Sequence, residues 1–423
     1  MFEIEENRRK VQSAFLIGIQ RPGMPKGETE ALLDELAELV QNLDIGVVGR
    51  ETARLRQPNP AFLTGKGQTQ SLLETARRLG ADALVFDEDL SPAQQRNWER
   101  LSSLCVIDRQ EVIIDIFSER ARTREARLQV ELARMEYSLP RLRRAWTHLS
   151  RQRGGLTGAR GQGETQLETD QRLVRERIAA VKRDLEGVAQ RRDVQRAKRL
   201  RKPVPTVALV GYTNAGKSSL LNRLAGARLG TEDKLFATLD PATRRLELSR
   251  SQYVLLTDTV GFVRRLPHRL VDAFKATLEE AVVADLLLHV IDAASPDIEA
   301  RCQTTMDVLA EIGADKNAVL TVYNKADQLA DCDRERRLRH DGGLLVSAAT
   351  GEGIEALKAR IAHEINQSLR PSQLLLPHDR YDVVSKLHDS GGIRRQEARD
   401  EGVYIEGLFP HSLQGVVEPF RTG

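Results

Sequence analysis

The chain has 423 residues, 40% hydrophobic and 30% charged, with a formal net charge of +3, a composition that suits a folded protein of several domains and excludes disorder. Its longest apolar runs, such as residues 285–291, fall far short of the ~20 residues that a membrane-crossing helix needs. The acidic start Met1-Phe-Glu-Ile-Glu-Glu is no signal peptide, and Cys105, Cys302 and Cys332 are too dispersed for a disulfide framework or a CxxC pair, so a cytoplasmic protein is expected.

Residues 1–118 alternate buried strands with helices, the pattern of a small α/β domain. Residues 14–19, 45–48, 83–86 and 104–107 are short apolar runs that predict strands. Between them, residues 29–43 and 68–79 carry apolar side chains at helical spacing, and Ser91-Pro92 pairs a capping serine with a first-turn proline. Gly65-Lys66-Gly67 opens a helix but is too short for a nucleotide loop.

Residues 119–202 hold 23 Lys/Arg against 11 Asp/Glu. Leu128, Leu132, Met135, Leu139, Leu142, Trp146 and Leu149 repeat every three or four residues, and Leu167, Val174, Ile178, Val181, Leu185 and Val188 keep the same frame. The glycine-rich run 154–163 between them cannot continue a helix, so an antiparallel helical hairpin with a glycine-rich tip is expected, with Pro140 interrupting its first helix. From Tyr137 to Gly163 there is no Asp or Glu, but there are Arg141, Arg143, Arg144, Arg151, Arg153 and Arg160. A wholly basic end predicts contact with RNA phosphates.

Residues 203–369 read as a nucleotide-binding domain. A buried strand, 206–210, runs into Gly211-Tyr212-Thr213-Asn214-Ala215-Gly216-Lys217-Ser218 and then Ser219, which is G-x-x-x-x-G-K-[ST] between a strand and a helix. Its backbone amides curl round phosphates at a helix N-terminus, Lys217 reaches the β- and γ-phosphates, and Ser218 ligates Mg²⁺. A second strand leads to Asp258-Thr259-Val260-Gly261: Asp258 holds Mg²⁺ through water and the Gly261 amide meets the γ-phosphate. A third leads to Asn324-Lys325-Ala326-Asp327. A carboxylate there accepts N1–H and the 2-amino group of guanine, and adenine offers neither donor. Ser347-Ala348, after a fourth strand, supplies a backbone N–H for guanine O6. Residues 370–423 read as a small mixed C-terminal domain, with a break at Arg370-Pro371, a helix at 381–388 and a strand at 402–406.

Four such motifs in order resemble the translation-factor-like GTPases. In that resemblance Phe236-Ala237-Thr238-Leu239-Asp240 is the first switch, with Thr238 as a second direct Mg²⁺ ligand, and Asp258 to Gly261 is the second switch. Residues 161–170, 59–67 and 258–268 bring the likeness closer to the HflX GTPases, over residues ~10 to ~370, although Gln162 and Arg265 stand where that family commonly has Pro and an acidic residue. The resemblance implies a GTPase that binds GTP, GDP and the large ribosomal subunit with its 23S-type rRNA. It implies further that the protein splits or rescues stalled and idle ribosomes. Phe262 stands where Ras-like enzymes place the water-orienting glutamine, so intrinsic hydrolysis is expected to be slow and the water-positioning group is unknown. Asn214 is the residue type that holds K⁺ in some related GTPases. A monomer is expected. The competing readings are an RNA-remodelling or ribosome-assembly NTPase and a protein-only switch.

Overall fold

The computed structural model describes residues 11–142, 169, 171–188, 204–226, 235–236, 238–239, 242–249, 252–265, 278–329, 331–368, 370–389, 392–409, 413 and 416–422. The chain forms two compact units, whose described residues fall within Met1–Leu185 for the first and within Glu186–Arg265 and Phe274–Gly423 for the second. The first is built on a parallel sheet of β1 (Ser13–Gln20), β2 (Gly46–Arg54), β3 (Ala83–Phe86) and β4 (Cys105–Asp108), in the order β2-β1-β3-β4. Helices α1 (Glu28–Gln41), α2 (Lys66–Arg78), α3 (Pro92–Ser102) and α4 (Arg109–Arg120) follow the strands in turn.

Central strand β1 is apolar on both faces because helices cover both. Phe15, Ile17 and Ile19 pack with Leu72, Leu73 and Trp98, while on the other face Gly18 lies so close to α1 that a Cβ would stand 2.8 Å from Leu33. Strand β2 pairs with β1 from Gly46 to Arg54, well beyond the predicted 45–48. An edge strand needs a backbone partner more than an apolar run, and its polar residues hid its length. Ser91 and Gln94 close the capping box that starts α3.

The ends of β3 and β4 carry buried charge. Arg109 is 2% exposed and donates to Asp87 at 2.8 Å and to Glu35. Asp108 caps α4 through the Glu111 amide and accepts from Arg141 at 3.0 Å and the Tyr137 hydroxyl at 3.1 Å. Burial pushes the Asp108 carboxyl up, while Arg141 opposes that shift.

Helix α5 (Arg124–Leu142) therefore begins as part of this unit. Ala126, Val130, Ala133 and Tyr137 form a buried stripe, and α5 packs on α4. The heptad reading missed that stripe because alanines and a tyrosine do not stand out as a seam. The expected seam is present beside it: Leu128 is buried and Leu132, Met135 and Leu139 are half-buried. On α6 (171–188), Val181 is fully buried and Val174, Ile178, Leu185 and Val188 half-buried. Ion pairs Arg177–Glu131 at 2.7 Å and Lys182–Glu136 at 2.8 Å join α6 to α5. The interruption expected at Pro140 is not seen, since α5 runs through it to Leu142. Arg141 holds that turn by bonding Gln95, the Leu90 carbonyl, Asp108 and the Tyr137 carbonyl.

The second unit holds a six-stranded sheet in the order β10-β9-β8-β5-β7-β6. Its strands are β5 (Thr206–Val210), β6 (Ala242–Glu247), β7 (Tyr253–Asp258), β8 (Leu286–Asp292), β9 (Ala318–Asn324) and β10 (Leu344–Leu345). All pairings are parallel except β6 with β7. Helices α7 (Lys217–Ala225), α8 (Ile298–Glu311), α9 (Cys332–His340) and α10 (Ile354–Ser368) accompany them. The core is continuous from Val207 and Leu209 through Leu288 and Val322 to Leu357 and Ile361.

A three-stranded antiparallel sheet, β11 (Arg370–Leu376), β13 (Gly402–Phe409) and β12 (Ile393–Arg399), follows, with α11 (Tyr381–Asp389) between β11 and β12 in sequence. Arg370-Pro371, read as a break, is where this separate sheet begins, and the pair opens β11. Proline is tolerated there because β11 lies at the edge of its sheet, paired with β13. Among the described residues no helix is long and apolar enough to cross a membrane.

Replacing Arg109 by alanine removes the guanidinium that Glu35 and Asp87 share and is expected to cost about 3–5 kcal/mol. Hydrogen exchange of the β1 and β3 amides in the full chain measures it.

Candidate functional site

The loop between β5 and α7 is shaped by two positions with no space for a side chain. Gly211 has φ +147° and a Cβ there would lie 2.2 Å from the Val290 carbonyl oxygen. Gly216 has φ +86° and a Cβ there would lie 2.3 Å from Asn324 Nδ2. Both are left to glycine by sterics. The loop thus turns its amides toward the N-terminus of α7, an arrangement that suits phosphate. Lys217 crosses under it and donates to the carbonyls of Gly211 at 3.0 Å and Tyr212 at 2.8 Å. Burial brings its ammonium down to about 8, against the pull of Asp258.

The three oxygens expected around a magnesium ion meet. Ser218 Oγ lies 2.7 Å from Thr238 Oγ1 and donates to Asp258 Oδ2 at 2.5 Å, and Thr238 Oγ1 donates to the same oxygen at 2.7 Å. Asp258 Oδ1 is buried with no hydrogen-bond partner among the described residues, and burial raises that carboxyl above the usual carboxylate range. Hard oxygen donors around a buried carboxylate short of partners fit Mg²⁺.

The start of the second switch is zipped onto the phosphate loop. Thr213 N–H donates to the Phe262 carbonyl at 2.7 Å and Phe262 N–H to the Gly211 carbonyl at 3.2 Å. The Phe262 side chain is fully buried, so it is a packing group rather than a group that orients water. Gly261 is pressed against the loop: a Cβ would stand 2.7 Å from Thr213 Cα and 3.0 Å from Lys217 Nζ. Thr259 donates to the Leu209 carbonyl at 2.6 Å, and Val260 is buried. On the first switch, Phe236 N–H donates to Thr213 Oγ1 at 3.1 Å and Leu239 is buried; Ala237 and Asp240 lie outside the described residues.

Sequence reasoning did not single out the contacts of Tyr212. Its hydroxyl accepts from the Arg264 amide at 2.7 Å, the Arg301 guanidinium lies 4.9 Å from its ring centre, and Arg264 pairs with Asp297 at 2.9 Å. No motif signals these, because they join residues far apart in the chain.

At the far end of the same cleft stand the residues expected to read the base. Asn324 is buried and donates to the Ala215 carbonyl at 2.9 Å, Asp327 accepts from Ser347 Oγ, and Lys325 pairs with Asp292 at 2.9 Å. Asn214, Ser219, Gln328 and Ala349 also line this cleft; the last two were not singled out in the sequence. Within the Ser347-Ala348 segment expected to supply a backbone N–H for guanine O6, the Ala348 N–H donates to Asn324 Oδ1 at 3.0 Å.

The basic residues of the helical pair fare differently. Arg141 is 19% exposed at its side chain and its guanidinium is taken up by protein groups, with its carbon 3.4 Å above the Tyr137 ring centre. In the structure it anchors the end of α5 to Gln95, Leu90 and Asp108. Arg143, Arg144, Arg151, Arg153 and Arg160 lie outside the described residues. Lys66 opens α2 as an exposed residue after Gly65.

Three family models match: "GTP-binding GTPase N-terminal" over residues 30–118, "GTP-binding GTPase Middle Region" over 120–199 and "50S ribosome-binding GTPase" over 206–325. The chain is 46% identical to a protein named GTPase HflX from Akkermansia muciniphila, covering 99% of each chain. It is 43% identical to one of the same name from Escherichia coli, covering 88% of this chain and 87% of that one. Among solved structures, a GTP-binding protein from Sulfolobus solfataricus in complex with GDP is 25% identical, with a TM-score of 0.43, over 84% of this chain and 99% of that one.

Two outcomes follow from this geometry. Gly261→Ala should lower GTP turnover at least about tenfold, the equivalent of one lost amide contact near the reacting phosphate. GDP affinity should change less, because GDP lacks that phosphate. Separately, His289 on β8 is 4% exposed, and burial together with the Lys217 charge takes its imidazole down to about 4. A folded value below the unfolded one means that stability is present above pH ~6.5 and lost as pH falls toward 4. From pH 7 to 5 the loss should be about 2 kcal/mol, read as the difference in urea unfolding between this chain and its His289→Gln variant.

Proposed function

The chain belongs to the HflX GTPase family, whose members hydrolyse GTP, and from that premise we propose that it binds the large ribosomal subunit in its GTP state and splits or rescues stalled and idle ribosomes. The single observation that carries the nucleotide half of this reading is the meeting of Ser218 and Thr238, both bonded to Asp258 behind them, in one cleft with Asn324 and Asp327, the latter bonded by Ser347. In it Gly211 to Ser219 bind the phosphates, Lys217 neutralises them, and Ser218 and Thr238 hold Mg²⁺, with Asp258 behind a water. Magnesium supplies charge neutralisation of the β- and γ-phosphates when bound. Asn324, Lys325, Asp327 and the Ser347–Ala349 loop read guanine.

Both switches are tied to the phosphate loop, through Phe236 on Thr213 and Phe262 on Gly211 and Thr213. A γ-phosphate entering beside Gly261 biases both at once, and its loss releases them. With Phe262 buried, intrinsic turnover is slow and the bound ribosome speeds it. Asn214, exposed at the lip of the cleft, is the candidate ligand for K⁺. The RNA contact falls to Arg143, Arg144, Arg151, Arg153 and Arg160, on the acid-free part of the chain, since Arg141 is engaged at the root of the helix. The protein acts as a monomer in the cytoplasm.

GTP turnover measured with and without purified large subunits, in K⁺ and in Na⁺, tests this reading. Strong stimulation by subunits is expected, and its absence sinks the ribosome-activated mechanism. Replacing Arg143, Arg144 and Arg151 together by alanine should weaken subunit binding and lower its salt slope by about one unit per lost phosphate contact. An unchanged slope removes the RNA role of these arginines.

A further inference from the structure

The structure shows a residue outside all the recognised motifs that holds the base-reading loop. Arg223, on the exposed side of α7, donates from Nε to the Ala348 carbonyl at 3.0 Å and from Nη2 to the Ala349 carbonyl. The loop it grips is fixed on its other side as well. Ser347 Oγ donates to Asp327, Thr350 N–H donates to Ser347 Oγ at 3.0 Å, and Gly351 N–H to the Ser347 carbonyl at 2.8 Å. Ala348 N–H is bound to Asn324, which in turn holds the Ala215 carbonyl of the phosphate loop. A closed ring therefore runs from the phosphate loop through Asn324 and Ala348 to Arg223 and back along α7.

Peptide geometry turns this ring into an assignment. No peptide bond among the described residues is cis, and in a trans peptide the carbonyl and the following N–H point in opposite directions. The Ala348 carbonyl is drawn toward α7 by Arg223, so the Ala349 N–H on the same peptide points away from α7, on a residue that lines the nucleotide cleft. We propose that Arg223 is a positioning residue for base specificity, which aims the Ala349 N–H at the O6 of guanine. This rests on the reading that Asn324, Asp327 and the 347–349 loop form the guanine site. Asp327 reads the N1–H and 2-amino edge; Arg223, through Ala349, sets the O6 edge.

The test compares GDP, IDP and ADP binding to the full chain, its Arg223→Ala and Arg223→Lys variants, and Asp327→Asn. GDP and IDP both carry O6, so Arg223→Ala should weaken both by the same factor, about three- to tenfold for one oriented hydrogen bond. ADP, with an amino group at that position, should not weaken, so the preference for GDP over ADP shrinks. Arg223→Lys, which keeps a cationic donor, should recover part of the loss. If all three nucleotides weaken together, Arg223 serves general integrity and the proposal is overturned. If Arg223→Ala changes nothing while Asp327→Asn weakens GDP more than IDP, the guanine site stands and the role of Arg223 does not. If Asp327→Asn leaves GDP unaffected, the guanine-site reading itself falls, and the proposal with it.

Discussion

The cleft of the second unit depends on how closely the 211–218 loop passes its neighbours. Gly211 lies against the backbone of β8 and Gly216 against the side chain of Asn324, each nearer than any Cβ would allow. That proximity lets the loop close over α7 and lets Asn324 bond it directly. The phosphate end and the base end of the cleft are consequently one hydrogen-bonded body rather than two sites on a sheet. Asn324 is the pivot, accepting from Ala348 on one side and donating to Ala215 on the other.

Charge inside that body is handled by burial and by pairing. Lys217 is held by two carbonyls and loses basicity to desolvation. A buried ammonium of this kind is restored when an anion arrives, which favours phosphate over water. Asp258 shows the opposite shift for the same reason, with one oxygen given to two hydroxyls and the other without a protein partner among the described residues. Phe236 and Phe262 add a mechanical element, because both are bonded through their backbones to the 211–218 loop.

The first unit solves a different problem, that of rooting a long helix. Carboxylates at the ends of β3 and β4 hold Arg109, Tyr137 and Arg141. The last two come from α5, so the helix is tied to the sheet by polar bonds as well as by its Ala126–Val130–Ala133–Tyr137 stripe. Buried polar groups satisfied in this way specify one arrangement, since any other leaves them without partners. That is why a proline inside α5 leaves the helix intact as far as Leu142.

Local signals were enough for much of this. The strand–loop–helix run 206–225, the Asp258, Asn324 and Ser347 motifs, and the Ser91 cap are each written within a few residues, because the backbone geometry they need is set by glycines, caps and strand ends close in sequence. The full length of β2, the second face of α5 and the start of β11 were not, since each depends on which strand or helix lies alongside. The site divides the same way. Sequence by itself singled out the residues expected to meet phosphate, magnesium and guanine, and it put Arg141 among the arginines expected to contact RNA on charge alone. Tertiary structure decided that Arg141 is an internal anchor, that Ala348 bonds Asn324 and that Arg223 grips residues 348 and 349. Those outcomes rest on hydrogen bonds between groups tens of residues apart, and only folding brings such donors and acceptors within reach.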